Sequence, residues 1–413
     1  MDLMATRAWG PEQLREQFPA AMAAFESGEH YLDGAATSQR MWAALRAQSD
    51  YEASPVGNAH RGAHPWASRS SMALEAARAA VGGYLGVASD SVAFTSGATE
   101  SANLLAQSVL PTLSPADVIF VSQMEHHSNY LPWMAIAKRA GCSFVEMPLT
   151  QDGSIDVDWF EQSVGSLRPK WICVTAMSNV TGNTPPIAWM SALAKKAEPS
   201  SKVVVDAAQA IAHLAVELPL WGGDYAFFSS HKVFAPAGSG VLAALTPELF
   251  DHLDPGKYGG GMIRGFRSDG SPRWAGGRAR HEAGSANVGA ALALSAALTS
   301  FSQWDLSLMG AHEEALGSWT ANELKKIAGV EILGGGSKHG LVSFHASWAH
   351  AHDMGTALDE RRVYARVGHH CALPLMRAFG VHACTRLSFG PTSDESDAVA
   401  AVEAVAEAKR RFS

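Results

Sequence analysis

Cysteine is scarce in this chain. Its four cysteines, Cys142, Cys173, Cys371 and Cys384, include no C-x-x-C pair. That argues against a disulfide framework and against a finger-type zinc site, so no metal is expected. A basic start leading into an apolar core is also lacking: residues 1–17 mix Arg7, Glu12, Arg15 and Glu16 with apolar residues. Reduced thiols and a cytoplasmic location are therefore expected. Positive charge is not in excess, since charged residues make up 17% and the net charge is −8. Such a balance has no electrostatic footprint for nucleic acid. No uninterrupted apolar run reaches about eighteen residues, so no membrane span is expected. Repeats and low-complexity tracts are absent as well.

What is present is a long chain, 413 residues with 47% hydrophobic content. That length exceeds one ordinary core and predicts two domains. Residues 11–25 read as an amphipathic helix, 31–37 as a short strand breaking into a turn, and 70–81 as a helix stopping at Gly82-Gly83. Strands are then expected at 91–95, 118–122, 143–149, 171–176, 202–207, 225–229 and 240–245, with helices at about 100–110, 130–140 and 186–197. This alternation is that of an α/β fold with a mostly parallel sheet covered by helices. The Gly- and Pro-rich stretch 254–284 reads as an excursion between domains. A smaller α+β region follows, with helices at 290–301 and 308–327 and strands near 330–332, 341–346, 364–367 and 385–389. Thr392 to Glu395 reads as a capping box opening a last helix through 411.

Ligands of such sheets bind beyond the carboxyl ends of the strands, and polar clusters stand at those positions. Phe227-Phe228-Ser229-Ser230-His231-Lys232 is a buried strand running out in a lysine. A desolvated lysine amine suits Schiff-base chemistry, whereas a lysine snorkelling to the surface is the ordinary alternative. Val205-Asp206-Ala207-Ala208-Gln209 ends a strand in a carboxylate, which either pairs with a protonated pyridine nitrogen or caps a loop. Ser96-Gly97-Ala98-Thr99-Glu100 precedes a helix and offers N–H groups and a hydroxyl to a phosphate, or serves as a plain cap. His126 stands at another strand end, where a neutral ring stacks on a flat cofactor or is structural. Cys371 lies among Arg366, His369 and His370, positive neighbours that favour thiolate. Arg386, within a strand pattern, either forks onto a carboxylate or forms a structural ion pair.

Taken in order, these motifs resemble the class V aminotransferase group of pyridoxal-phosphate (PLP) enzymes, and within it the group II, SufS/CsdA-type cysteine desulfurases. The resemblance runs from Tyr31-Leu32-Asp33-Gly34-Ala35-Ala36 and Asn58-Ala59-His60-Arg61-Gly62, through Glu125-His126-His127-Ser128-Asn129 and Met177-Ser178-Asn179, to Gly368-His369-His370-Cys371-Ala372. It implies fold type I, with an N-terminal segment over 1–30 packing on the small domain, a large PLP-binding domain over 31–285 with a seven-stranded sheet, and a small domain over 286–413. Lys232 would carry the cofactor, Asp206 its ring nitrogen and Gln209 its ring hydroxyl. His126 would stack on the ring, and Ala98, Thr99, Ser229 and His231 would hold the phosphate. Ser285 would reach the partner subunit's phosphate, implying a homodimer with shared sites. Asn179, Arg366 and Arg386, with His60, would bind the substrate. Lys232, His126 and Cys371 would be the catalytic residues. The implied reaction converts L-cysteine to L-alanine, leaving a persulfide on Cys371 for an acceptor protein. Iron–sulfur cluster assembly, tRNA modification and a specialised metabolite are open destinations for that sulfur. A selenocysteine lyase or another C–S lyase of the same fold is the alternative. The chain departs from the family pattern at Ser230, Ala98, His281 and Gly390-Pro391.

Overall fold

The computed structural model describes residues 10–60 and 62–412. Arg7 of the N-terminal stretch and Arg61 of the histidine loop lie outside the described residues. The central sheet has seven strands in the order Val92–Thr95, Gly240–Ala244, Tyr225–Ser229, Lys202–Asp206, Trp171–Thr175, Val118–Ser122, Ser143–Met147. Gly240–Ala244 runs antiparallel to both neighbours, and the other pairings are parallel. The inner strands are near-continuous apolar runs between polar ends, as suits a sheet covered by helices on both faces. Val203 and Val205 enter one core layer, and Val204 enters the other with Trp133 and Leu105 from the helices His127–Ala140 and Ala98–Val109. Each fully buried valine or phenylalanine contributes roughly 1.5–3 kcal/mol. A buried polar group left unpaired costs about 1–3 kcal/mol. The apolar sheet therefore carries the few polar groups at its ends.

A second, antiparallel sheet of four strands runs Val330–Ile332, Leu341–Ala346, Cys384–Ser388, Arg366–Gly368. The helices Leu306–Lys325, Ala351–Asp359 and Glu395–Phe412 cover it. The chain's beginning is stitched to this sheet. His30–Tyr31 pairs in parallel with Val363–Tyr364, Asp33 bridges to Ser388, and Leu32 enters the small core. No described helix is long and apolar enough to cross a membrane.

Several expected elements change. The helix over 11–25 is two, Pro11–Arg15 and Pro19–Ser27, because Pro19 opens the second and its ring cannot continue the first. The helix expected to stop at Gly82-Gly83 is Pro65–Leu85 and ends on left-handed Gly86. Gly82 serves a close approach instead, since an added Cβ would lie 2.8 Å from the Val87 carbonyl. Val157–Leu167 is a further helix, capped by Asp156, whose side chain accepts from the Trp159 N–H. The excursion over 254–284 has structure of its own. It folds into a hairpin, Ile263–Phe266 against Pro272–Trp274, and Glu282 accepts from the Phe94 N–H of the sheet's edge strand at 2.7 Å. The last capping box lies two residues later than expected: Asp394 accepts from the Ser396 N–H, and Asp397 accepts in return from the Asp394 N–H, both at 2.9 Å.

Candidate active site

At the carboxyl ends of the parallel strands lies a cavity of about 220 Å³, lined by Lys232, Asp206, His126, Asn179, Arg386 and Cys371 among others. Lys232 follows the strand Tyr225–Ser229 by a single tight turn. It is half-buried by surface area, yet its amine sits deep in the pocket and donates to the Ala35 carbonyl. Burial, with the Arg386 charge adding to it, pushes its pKa down to about 7. Near neutral pH a large share of the amine is therefore an unprotonated nucleophile.

Asp206 ends the neighbouring strand and is 3% exposed. Its carboxylate accepts from the Ala208 N–H at 2.9 Å, and burial pushes its pKa up to about 6. A cationic ring nitrogen beside it would reverse that shift, so the site favours such a partner. His126 caps the helix His127–Ala140, which follows Val118–Ser122. Its Nδ1 accepts from the Ser128 N–H at 3.1 Å, which leaves the proton on Nε2. Burial pushes its pKa down to about 4, so it presents a neutral ring.

The turn between Val92–Thr95 and Ala98–Val109 presents a helix N-terminus, the ready-made end for an anion. Thr99 lines the cavity there, and Ser229 Oγ accepts from the Ala98 N–H at 2.7 Å. The turn is packed so closely that a Cβ on Gly240 would lie 2.4 Å from Gly97 Cα. His231 Nδ1 lies 3.2 Å from Thr37 Oγ1, and burial pushes its pKa down to about 4. Gln209 donates to the Ala35 carbonyl at 2.8 Å, so one backbone oxygen orients both Gln209 and Lys232.

The opposite end is cationic. Arg386 is 2% exposed and donates to the Asn179 carbonyl at 2.7 Å and to Asp33 at 3.1 Å, while its Nε finds no partner. Arg366, exposed, stands 3.6 Å from the same Asp33 carboxylate. Asn179 donates to the His370 carbonyl at 2.8 Å. Cys371 sits half-buried on the pocket's lip, its N–H donating to His369 Nδ1 at 3.0 Å and its carbonyl accepting from the His127 N–H at 2.7 Å. Burial pushes the thiols of Cys173 and Cys384 upward, which leaves them as core residues, and Cys142 lies away from the pocket.

Two expected site residues are not brought into this cavity. His60 pairs with Glu75 at 3.3 Å on an exposed loop, and with exposed Ser285 it lines a neighbouring cavity of about 560 Å³. Three residues given no role from the sequence matter locally. Asp33 holds both arginines, Ala35 supplies the shared carbonyl, and fully buried Glu125 accepts from Ser122, Asn129 and the Thr175 N–H at 2.5, 2.7 and 2.8 Å. Burial pushes Glu125 up to about 8. The departures at Ser230 and His281 are structural: Ser230 donates to the Pro236 carbonyl at 2.6 Å, and buried His281 Nε2 lies 3.0 Å from the Phe250 carbonyl. A helix start at one end, a carboxylate at the other, a nucleophilic amine between and a neutral ring at the side together fit pyridoxal phosphate.

A family model described as "Aminotransferase class-V" matches residues 30–400. The "Probable cysteine desulfurase" of Vibrio cholerae serotype O1 is 35% identical over 382 residues, covering 92% of this chain and 93% of that one. The "Cysteine desulfurase" of Pectobacterium carotovorum is 33% identical over 398 residues, covering 94% and 96%. Among solved structures, the cysteine desulfurase CsdA (S-sulfonic acid) from Escherichia coli superposes with a TM-score of 0.88 at 33% identity, over 98% of this chain and 100% of that one. The apo cysteine desulfurase from Thermococcus onnurineus gives 0.90 at 28% identity, over 99% and 100%.

Proposed function

The chain belongs to the class V aminotransferase family and is a pyridoxal-phosphate-dependent cysteine desulfurase acting on L-cysteine, and from that premise we propose the part each residue plays. Lys232 would carry the cofactor, Asp206 would keep its ring nitrogen protonated, Gln209 would contact the ring hydroxyl, and His126 would lie against the ring. Thr99, Ser229, His231 and the Ala98 turn hold the phosphate. When bound, the cofactor withdraws the electrons left on the amino acid's α-carbon. Arg386 takes the substrate carboxylate through its unpartnered Nε, helped by Asn179 and Arg366. Lys232, as the free amine, moves the α-carbon proton. Cys371 thiolate attacks the substrate sulfur. The S–C bond breaks, the sulfur remains on Cys371 as a persulfide, and the carbon it leaves takes up a proton to give L-alanine. The persulfide then passes to an acceptor protein, with iron–sulfur cluster assembly as one destination.

A large unit over 31–285, joined by the helix Val288–Phe301 whose Leu294, Leu298 and Phe301 enter its core, meets the remainder of 286–413 at this pocket, and residues 10–30 bridge the two, with Phe18 in the large core and Arg15 2.6 Å from Asp394. His60 and Ser285 serve the partner subunit's site in a homodimer. Four unpaired thiols suit the cytoplasm.

The observation that carries the assignment is Cys371 on the lip of the cavity that holds Lys232 and Arg386. The test is Cys371→Ala. The variant is expected to keep the yellow colour of the cofactor and to lose sulfide release from L-cysteine by at least about a hundredfold. With an added thiol reductant to discharge the persulfide, wild-type protein should give alanine and sulfide in equal amounts. Full sulfide release from the variant would remove Cys371 from the reaction.

A further inference from the structure

The Cys371 bend is held in an unfavourable conformation. His370 and Cys371 both have positive φ, 49° and 53°, a region that side chains with a Cβ avoid. Such a bend persists only where its surroundings over-determine it. Two of its bonds involve residues already named, Asn179 to the His370 carbonyl and the Cys371 N–H to His369. Two more lie within the small domain, the Ala372 N–H to the His369 carbonyl at 2.9 Å and His370 Nε2 3.2 Å from the Cys384 carbonyl. Two further bonds meet on one residue outside the cofactor pocket.

We propose that His127 is the positioning residue for Cys371, gripping the bend on both sides. His127 is the first residue of the helix His127–Ala140, where an N–H lacks a partner within the helix, and it donates to the Cys371 carbonyl at 2.7 Å. Leu373 is the first residue of the helix Leu373–Ala378, and its N–H donates to His127 Nε2 at 3.2 Å. Each helix start thus satisfies the other across Cys371. The ring stands 5.6 Å from that of His369, which takes the Cys371 N–H. The adjacent histidines divide the work: His126 faces the cofactor pocket, and His127 grips the nucleophile's loop. Only a neutral ring can accept at Nε2, and burial and His369 both push His127 toward that form.

The idea rests on Cys371 being the sulfur acceptor, but the grip itself is measurable without turnover. Hydrogen exchange of the holoenzyme would be followed in wild type, His127→Ala and His127→Gln. Glutamine keeps an acceptor near the position of Nε2. The peptide covering 366–378 is expected to exchange about tenfold faster in His127→Ala and within about twofold of wild type in His127→Gln. His127→Ala should also lower kcat for sulfide release with little change in KM. If alanine unsettles the helix, His127→Met supplies the bulk without the acceptor and takes its place. Unchanged exchange in the acceptor-less variants, or glutamine as loose as alanine, would overturn the proposal. Faster exchange together with full sulfide release in Cys371→Ala would leave the grip standing and remove only the role of Cys371.

Discussion

Three effects act against the ammonium form of Lys232, desolvation in the pocket and the charges of Arg386 and Arg366, while Asp206 and Asp33 favour it. With the pKa brought down to about 7, the amine is neutral above that pH and charged below it. The rate at which apoprotein takes up pyridoxal phosphate, followed by its visible band, should rise through pH 7 and level off by about pH 8. A surface lysine would keep gaining to about pH 10, and a rate still climbing there would contradict the assignment. Glu125 makes a second prediction at this scale. Its carboxyl holds together the ends of Val118–Ser122 and Trp171–Thr175 and the start of His127–Ala140. At pH 9, above the raised value of about 8, the group is a carboxylate, and Glu125→Gln must turn an amide N–H toward at least one of three donors. A loss of about 1–3 kcal/mol in unfolding stability is expected, and a denaturant midpoint equal to wild type would show that these bonds are not needed.

Among the elements, the first strand carries its own pH dependence. His30 lies 2.8 Å from Asp397 in the last helix, and that bond raises the histidine's pKa. The stability it contributes is full below the ordinary histidine value of about 6.5 and is lost as pH rises through the raised one. His30→Gln should therefore destabilise by about 1 kcal/mol or less at pH 6, and by less at pH 9. A difference that does not change with pH would remove the ion pair from the argument. The central strands were legible in the sequence because burial on both faces makes them continuous apolar runs, as in Val203-Val204-Val205. The helix Val157–Leu167 was harder to read, as its apolar stripe is short and begins after a Gly- and Asp-containing turn. The places of Lys232 and Asp206 at strand ends and of Cys371 on a loop beside the pocket could be read from the sequence. Those of Asp33 and Ala35 could not: one works through a partner 353 residues away, and the other offers only a backbone oxygen.

For the whole molecule, the placement of His60 and Ser285 in a cavity apart from the site of their own chain carries the dimer proposal. Sedimentation should report twice the mass of one chain. Ser285→Asp should weaken pyridoxal phosphate affinity about tenfold by bringing a like charge to the phosphate of the partner's site. Monomeric protein with full activity, or unaltered affinity, would contradict shared sites. The Asp33–Arg386 pair has a further consequence, one of timing. The carboxylate leaves the ribosome first, and its guanidinium follows 353 residues later. At about 5–20 residues per second, Asp33 waits roughly 20 to 70 s for its partner. Nascent chains can build the large sheet during that interval, but they cannot desulfurate cysteine until Arg386 has emerged and paired.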